Sequence, residues 1–158
     1  MPGVAPTLPT LLVLDTNIVI DWLVFNDEFM KPLRDAVADR RATVLTSTPA
    51  TGELQRVLAY PELKLDAVRQ AAVFDRYLLQ TSPASLPDGF SLANLLLPPT
   101  FPRCRDPDDQ HFLALAWHSR AMLASRDKAV LKLRKRAARF GVAIVDVQQL
   151  IGRLQHRE

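Results

Sequence analysis

Four acidic side chains fall where an α/β sheet does its chemistry. Asp15 closes the apolar run Leu11–Leu14, which predicts a buried parallel strand. Asp127 follows the short apolar piece Ala121–Ser125 in the same manner. Ligands of open α/β sheets bind beyond the carboxyl ends of the strands, so both acids belong at that rim. Asp109 stands in the first turn of a helix opened by Asp106-Pro107-Asp108-Asp109, and Glu53 in the second turn of a helix that starts after Thr48-Pro49. Clustered carboxylates repel one another strongly without a cation, and their oxygens are the ligands that Mg²⁺ and Mn²⁺ prefer. A pocket of this kind suits metal-assisted attack of water on a phosphodiester.

Each acid also has a plainer reading. An Asp cap, a proline and a further acid make a near-ideal helix start, favoured by the helix dipole without any metal. Asp127 fits equally well as the cap of its own helix, and Glu53 alone fits an exposed helical position. Asp15 is harder to dismiss, because an acid at the end of a buried run costs desolvation unless something pairs with it. Convergence, rather than any single residue, separates the two readings.

The elements that must position these acids alternate along the chain. Strands are predicted at Leu11–Leu14, Thr43–Thr46, Ala121–Ser125 and Val142–Val145. Helices are predicted over 16–25, 27–39, 48–59, 66–80, 106–119 and 127–140, with Gly141 as a C-terminal stop and a last helix through about Leu154. Prolines at 83, 87, 98, 99 and 102 mark 81–105 as a long surface excursion, a lid or a partner contact, with one apolar piece at Leu92–Leu97. This alternation predicts an α/β fold, a three-layer α/β/α sandwich around a mainly parallel central sheet. Residues 1–10 carry three prolines and read as a flexible N-terminal arm; 11–158 read as a single domain.

Composition narrows the class. With 48% hydrophobic and 23% charged residues, the chain is far from the disordered regime. One cysteine, Cys104, leaves no internal disulfide or Cys-rich zinc site and points to a reducing, cytoplasmic setting. Leu11–Phe25 contains Asp15, Asn17 and Asp21, too short and too polar a stretch to span a membrane. Residues 1–125 hold 11 Lys/Arg against 14 Asp/Glu, a net −3, whereas 126–158 hold 9 against 3, a net +6. Arg126, Lys128, Lys132, Arg134, Lys135, Arg136 and Arg139 form the basic cluster. It can steer a polyphosphate strand toward a neighbouring site, or it is a solvated helix face.

Leu14-Asp15-Thr16-Asn17, Glu53-Leu54 with Val57-Leu58, Arg105-Asp106-Pro107-Asp108-Asp109 with Phe112-Leu113-Ala114-Leu115-Ala116, and Ser125-Arg126-Asp127-Lys128 together resemble the PIN domain. More narrowly, they are similar to the prokaryotic VapC-like ribonucleases of toxin–antitoxin systems. The resemblance runs over about residues 10–150 in order and spacing. It implies that Asp15, Glu53, Asp109 and Asp127 are the catalytic acids and hold Mg²⁺ or Mn²⁺, with Asp106 an additional acid. It implies that Thr16 and Asn17 orient Asp15 or the substrate, and that Ser125 is the small hydroxyl beside the fourth acid. It further implies a single-stranded RNA substrate met by Arg126, Lys128, Lys132, Arg134 and Lys135, a cognate antitoxin and a homodimer.

Other residues read plainly. His111 and His118 lie seven apart without a third ligand, so they read as surface or satisfied histidines. Trp22 and Trp117 sit in helical stripes and read as core. Three competing functions are an inactive PIN-like domain that binds RNA or protein, a haloacid-dehalogenase-type phosphohydrolase and a receiver-like domain. The second lacks an acid at Asn17, and the third would want a phosphorylatable Asp where the Thr43–Thr46 strand instead runs into Ser47-Thr48.

Overall fold

The computed structural model describes residues 8–155. Five strands, β1 (Thr10–Leu14), β2 (Ala42–Thr46), β3 (Thr81–Pro83), β4 (Met122–Ala124) and β5 (Ile144–Val145), form one parallel sheet in the order β3-β2-β1-β4-β5. The central strand, β1, aligns Leu12 with Val44 of β2 and Leu14 with Ala124 of β4. Strand order runs outward from β1 in both directions. The carboxyl ends of β1 and β4 therefore flank a topological switch point, where α/β sheets leave a crevice.

Period-two alternation on β1 builds two cores. Leu12 and Leu14 pack with Ile18, Trp22, Leu33, Leu54 and Leu150 on one face. Val13 faces the other way, against Phe112, Leu115, Leu123, Leu133 and Ile144. The first face is covered by α1 (Thr16–Leu23), α2 (Lys31–Ala38), α3 (Thr48–Leu58), α4 (Ala67–Gln80) and α8 (Val147–Gln155). The second is covered by α5 (Gln110–Ser119), α6 (Lys128–Leu131) and α7 (Arg134–Ala138). This is the expected three-layer arrangement. Among the described residues no helix is long and apolar enough to cross a membrane.

Three expectations change. Of the arm predicted at 1–10, residues 1–7 lie outside the described residues, and Thr10 already belongs to β1. The excursion begins with an edge strand: β3 pairs Leu45 with Ser82 and Thr46 with Pro83. Three residues are too few to show a period, and a proline at an edge leaves no ladder bond missing. The predicted helix over 127–140 is two short helices. Leu133 N–H bonds back to Val130 O at 3.0 Å, a tightened turn that aims Val130, Leu133 and Ala137 together into the second core.

Candidate functional site

Asp15 is built in from three sides. As N-cap of α1, its Oδ1 accepts from Ile18 N–H at 3.0 Å. Its Oδ2 accepts from Ser125 Oγ at 2.8 Å and from Arg126 N–H at 3.0 Å. Burial pushes this carboxyl above its ordinary range, and those donors offset only part of the effect. Ser125 is buried; its Oγ also accepts from Asp127 N–H at 3.1 Å, so one hydroxyl ties Asp15 to the turn that carries Asp127. The Arg126 guanidinium pairs with Asp21 of α1 and pins the same turn.

Glu53 reaches the site from α3, a helix started by Ser47, whose Oγ accepts from Ala50 N–H at 3.3 Å. Gly52 costs it no contact, since the space beside that Cα meets only the Arg56 guanidinium at 3.5 Å. Thr16 Oγ donates to Glu53 Oε2, so this hydroxyl orients Glu53 and not Asp15. His111 Nε2 lies 3.8 Å from Glu53 Oε1. Burial alone would raise the Glu53 carboxyl, but His111 and Thr16 outweigh it and hold the group below its ordinary range. His111 is a member of the site that the sequence reading missed. The sequence signal is the unbroken apolar run Phe112–Trp117 beside it, which marks a helix buried all round, where an imidazole must find a polar neighbour. Its Nδ1 has no partner among the described residues. His118, in contrast, is satisfied by Leu95 O at 2.9 Å.

Asp106 caps a 3-10 turn, Pro107–Asp109, through Asp108 N–H at 2.9 Å. The turn delivers Asp109, half-buried, into the site while Asp106 stays exposed outside it. Burial, then the charges of Asp106, Asp127 and Glu53, push Asp109 up to about 7. Asp127 is both a helix cap, accepting from Ala129 N–H at 2.8 Å, and a wall of the site. The capping and the pocket readings hold together for this residue.

Asp15, Glu53, Asp109 and Asp127 line one cavity of about 170 Å³, with Thr16, Asn17 and Ser125 on the polar side. Val57, Phe112, Leu123 and Val130 wall the rest, a low-dielectric lining that strengthens every charge interaction inside. Among the described residues none of the four acids is ion-paired with a Lys or Arg. The donor set is all oxygen and strongly self-repelling, which fits a hard divalent cation. No three His, Cys, Asp or Glu among the described residues are close enough to grip an ion as they stand. The acids surround a space rather than presenting a finished cage.

The basic cluster divides. Arg126 is held by Asp21, and Arg134 donates to Ile144 O at 3.0 Å and Gln149 Oε1 at 2.9 Å. Lys128, Lys132 and Lys135 are exposed, and their side-chain ammonium groups make no hydrogen bond or ion pair to the described residues. Burial and then the charges of Asp109, Asp127 and Asp106 push the Cys104 thiol up to about 12, so it is no nucleophile. Trp22 is fully buried; Trp117 is half-buried, its ring 5.4 Å from that of Phe101.

A family model described as PIN domain matches residues 11–129. The fold is similar to that of VapBC2 from Rickettsia felis, crystallised with a DNA fragment from its promoter: TM-score 0.58, 16% identity, 87% of this chain and 98% of that one covered. It is similar also to PAE2754 from Pyrobaculum aerophilum, with TM-score 0.58, 18% identity, and 94% and 91% covered. No curated protein matches the chain.

Proposed function

The chain belongs to the PIN domain family, and from that premise we propose that it is a metal-dependent endoribonuclease of single-stranded RNA, the toxin of a toxin–antitoxin pair. The observation that carries this reading is the single cavity lined by Asp15, Glu53, Asp109 and Asp127, none of them ion-paired with a Lys or Arg among the described residues. The VapBC2 assembly among its structural neighbours supports the toxin–antitoxin setting. The same reading makes the chain a cytoplasmic homodimer held in check by a cognate antitoxin.

Asp15, Asp109, Asp127 and Glu53 would hold Mg²⁺ or Mn²⁺. A divalent ion so bound supplies charge neutralisation at the phosphate and lowers the pKa of a water toward neutrality. Asp15 is preorganised by its three donors, so it needs no reorganisation when substrate arrives. Glu53, kept ionised by Thr16 and His111, completes the ligand shell or orients the attacking water. Lys128, Lys132 and Lys135 draw the RNA backbone in.

The test is cleavage of labelled single-stranded RNA by the purified chain. EDTA stops it, Mg²⁺ or Mn²⁺ restores it, and Asp15→Asn loses at least about 100-fold while its circular dichroism is unchanged. Full cleavage by Asp15→Asn, or turnover that persists in EDTA, overturns the proposal. RNA binding without cleavage in the wild type assigns the chain to the inactive, binding class.

A further inference from the structure

We infer that the groove between residues 92–97 and the Pro107–Asp109 turn is a nucleobase subsite, taking the base that adjoins the phosphodiester cut in the acidic pocket. The inference rests on the nuclease reading and adds to it where substrate specificity would be read. The groove has a volume of about 430 Å³, within the roughly 300–1,000 Å³ usual for small-molecule sites. It shares a wall with the acidic pocket: the same 3-10 turn presents Pro107 to the groove and Asp109 to the acids. Two residues of such a turn rise only about 4 Å, which puts the Pro107 wall of the groove within a nucleotide's reach of a phosphate at Asp109.

The lining suits a base. Leu92, Leu96, Leu97 and Pro107 offer apolar surface to a ring face. Ring edges need donors and acceptors, and two are free. Asn94 spends its Oδ1 on Leu96 N–H at 3.1 Å, which leaves its amide N–H groups to donate. The backbone of Leu97 makes no hydrogen bond to the described residues. Arg103, in the groove wall, and Arg105 beside it are exposed and unpaired among the described residues, ready for flanking phosphates. Single-stranded RNA is recognised in this way, with splayed bases stacked and read along their edges.

The groove is also held in shape. Gln110, buried, donates to Pro102 O at 3.0 Å and accepts from Cys104 N–H at 2.6 Å. His118 fixes Leu95 O, and Phe101 is buried with its ring 5.0 Å from that of Phe140. Leu96 keeps a left-handed φ of 55°, rare for a bulky side chain and a form of stored strain that clusters at ligand sites. The segment expected from sequence to be a lid or a partner contact is thus clamped onto α5 beside the acids.

The experiment cross-links single-stranded RNA carrying 4-thiouridine and 6-thioguanosine at random positions to Asp15→Asn, and maps the linked peptides by mass spectrometry. In parallel, cleavage of a randomised RNA library by the wild type and by Asn94→Ala/Arg103→Ala is sequenced. Cross-links at 92–97 or 103–107, and a base preference beside the cut that weakens at least about fivefold in the double variant, support the subsite. Cross-links confined elsewhere, none at all, or an unchanged preference overturn it. RNA cross-linked to 92–97 that the wild type never cuts removes the nuclease reading and keeps the base groove. RNA that is cut but linked only elsewhere does the reverse.

Discussion

Replacing Asp109 by asparagine should make the metal-free protein more stable. The carboxyl is raised from 3.8 to about 7, so the folded state holds a proton that the unfolded chain has released. Below 3.8 both states are protonated and nothing is lost. As pH rises from there through about 7, the fold progressively loses stability, and above that the cost of an ionised Asp109 is complete. A rise of this size corresponds at face value to about 4 kcal/mol. Because the side chain is only half-buried, water screens the repulsion and reduces the figure to about 1–2 kcal/mol.

Asparagine mimics the neutral acid at every pH. In EDTA at pH 8, Asp109→Asn should therefore exceed the wild type by about 1–2 kcal/mol in urea unfolding followed by tryptophan fluorescence. For a chain of 158 residues, that is about 2–4 °C in melting temperature per kcal/mol. The gap should close as pH falls toward 4. With a divalent cation at a hundred times its dissociation constant, the wild type should gain about 2.7 kcal/mol by linkage, and the order should reverse if Asp109 is one of the proposed ligands. A variant no more stable than the wild type at pH 8, or a gap that ignores both pH and metal, would refute the reasoning.

Changing Lys128, Lys132 and Lys135 together to alanine should flatten the salt dependence of RNA affinity by up to about 2 in log–log slope, each lost phosphate contact contributing about 0.7; an unchanged slope, measured by fluorescence anisotropy, returns these lysines to a solvated face. Tyr77→Phe removes the hydroxyl 2.6 Å from Thr46 Oγ and should cost about 1 kcal/mol in urea unfolding without altering the cleavage rate, since Thr46 keeps Thr51 at 3.0 Å. Gln110→Ala strips partners from Cys104 N–H and Pro102 O. It should cost about 2–4 kcal/mol in the same assay and speed amide exchange across 92–105; unchanged exchange there would mean the excursion is held by its aromatic contacts alone.

The primary order determined a good deal unaided. An apolar run broken by Asp15, a proline-bearing helix start at 106–109 and a second acid after a short strand are local patterns. Such patterns are enforced by backbone sterics and burial within a few residues, so four of the five strands, most of the helices and the placing of four acids at element ends were legible, whereas the three-residue β3 and the break in the 127–140 helix were not. Parallel α/β layering followed from their alternation. Only the tertiary structure decided what depends on neighbours distant in the chain. Thr16 serves Glu53, 37 residues away, and Ser125 serves Asp15 across 110. His111 enters the site only because α5 is buried against α3 and the sheet. Asp106 and Asp109 differ by one turn of backbone, which sends one carboxyl to solvent and the other into the cavity. Spacing along a chain governs which residues share a face; which face meets which is settled by how the layers pack.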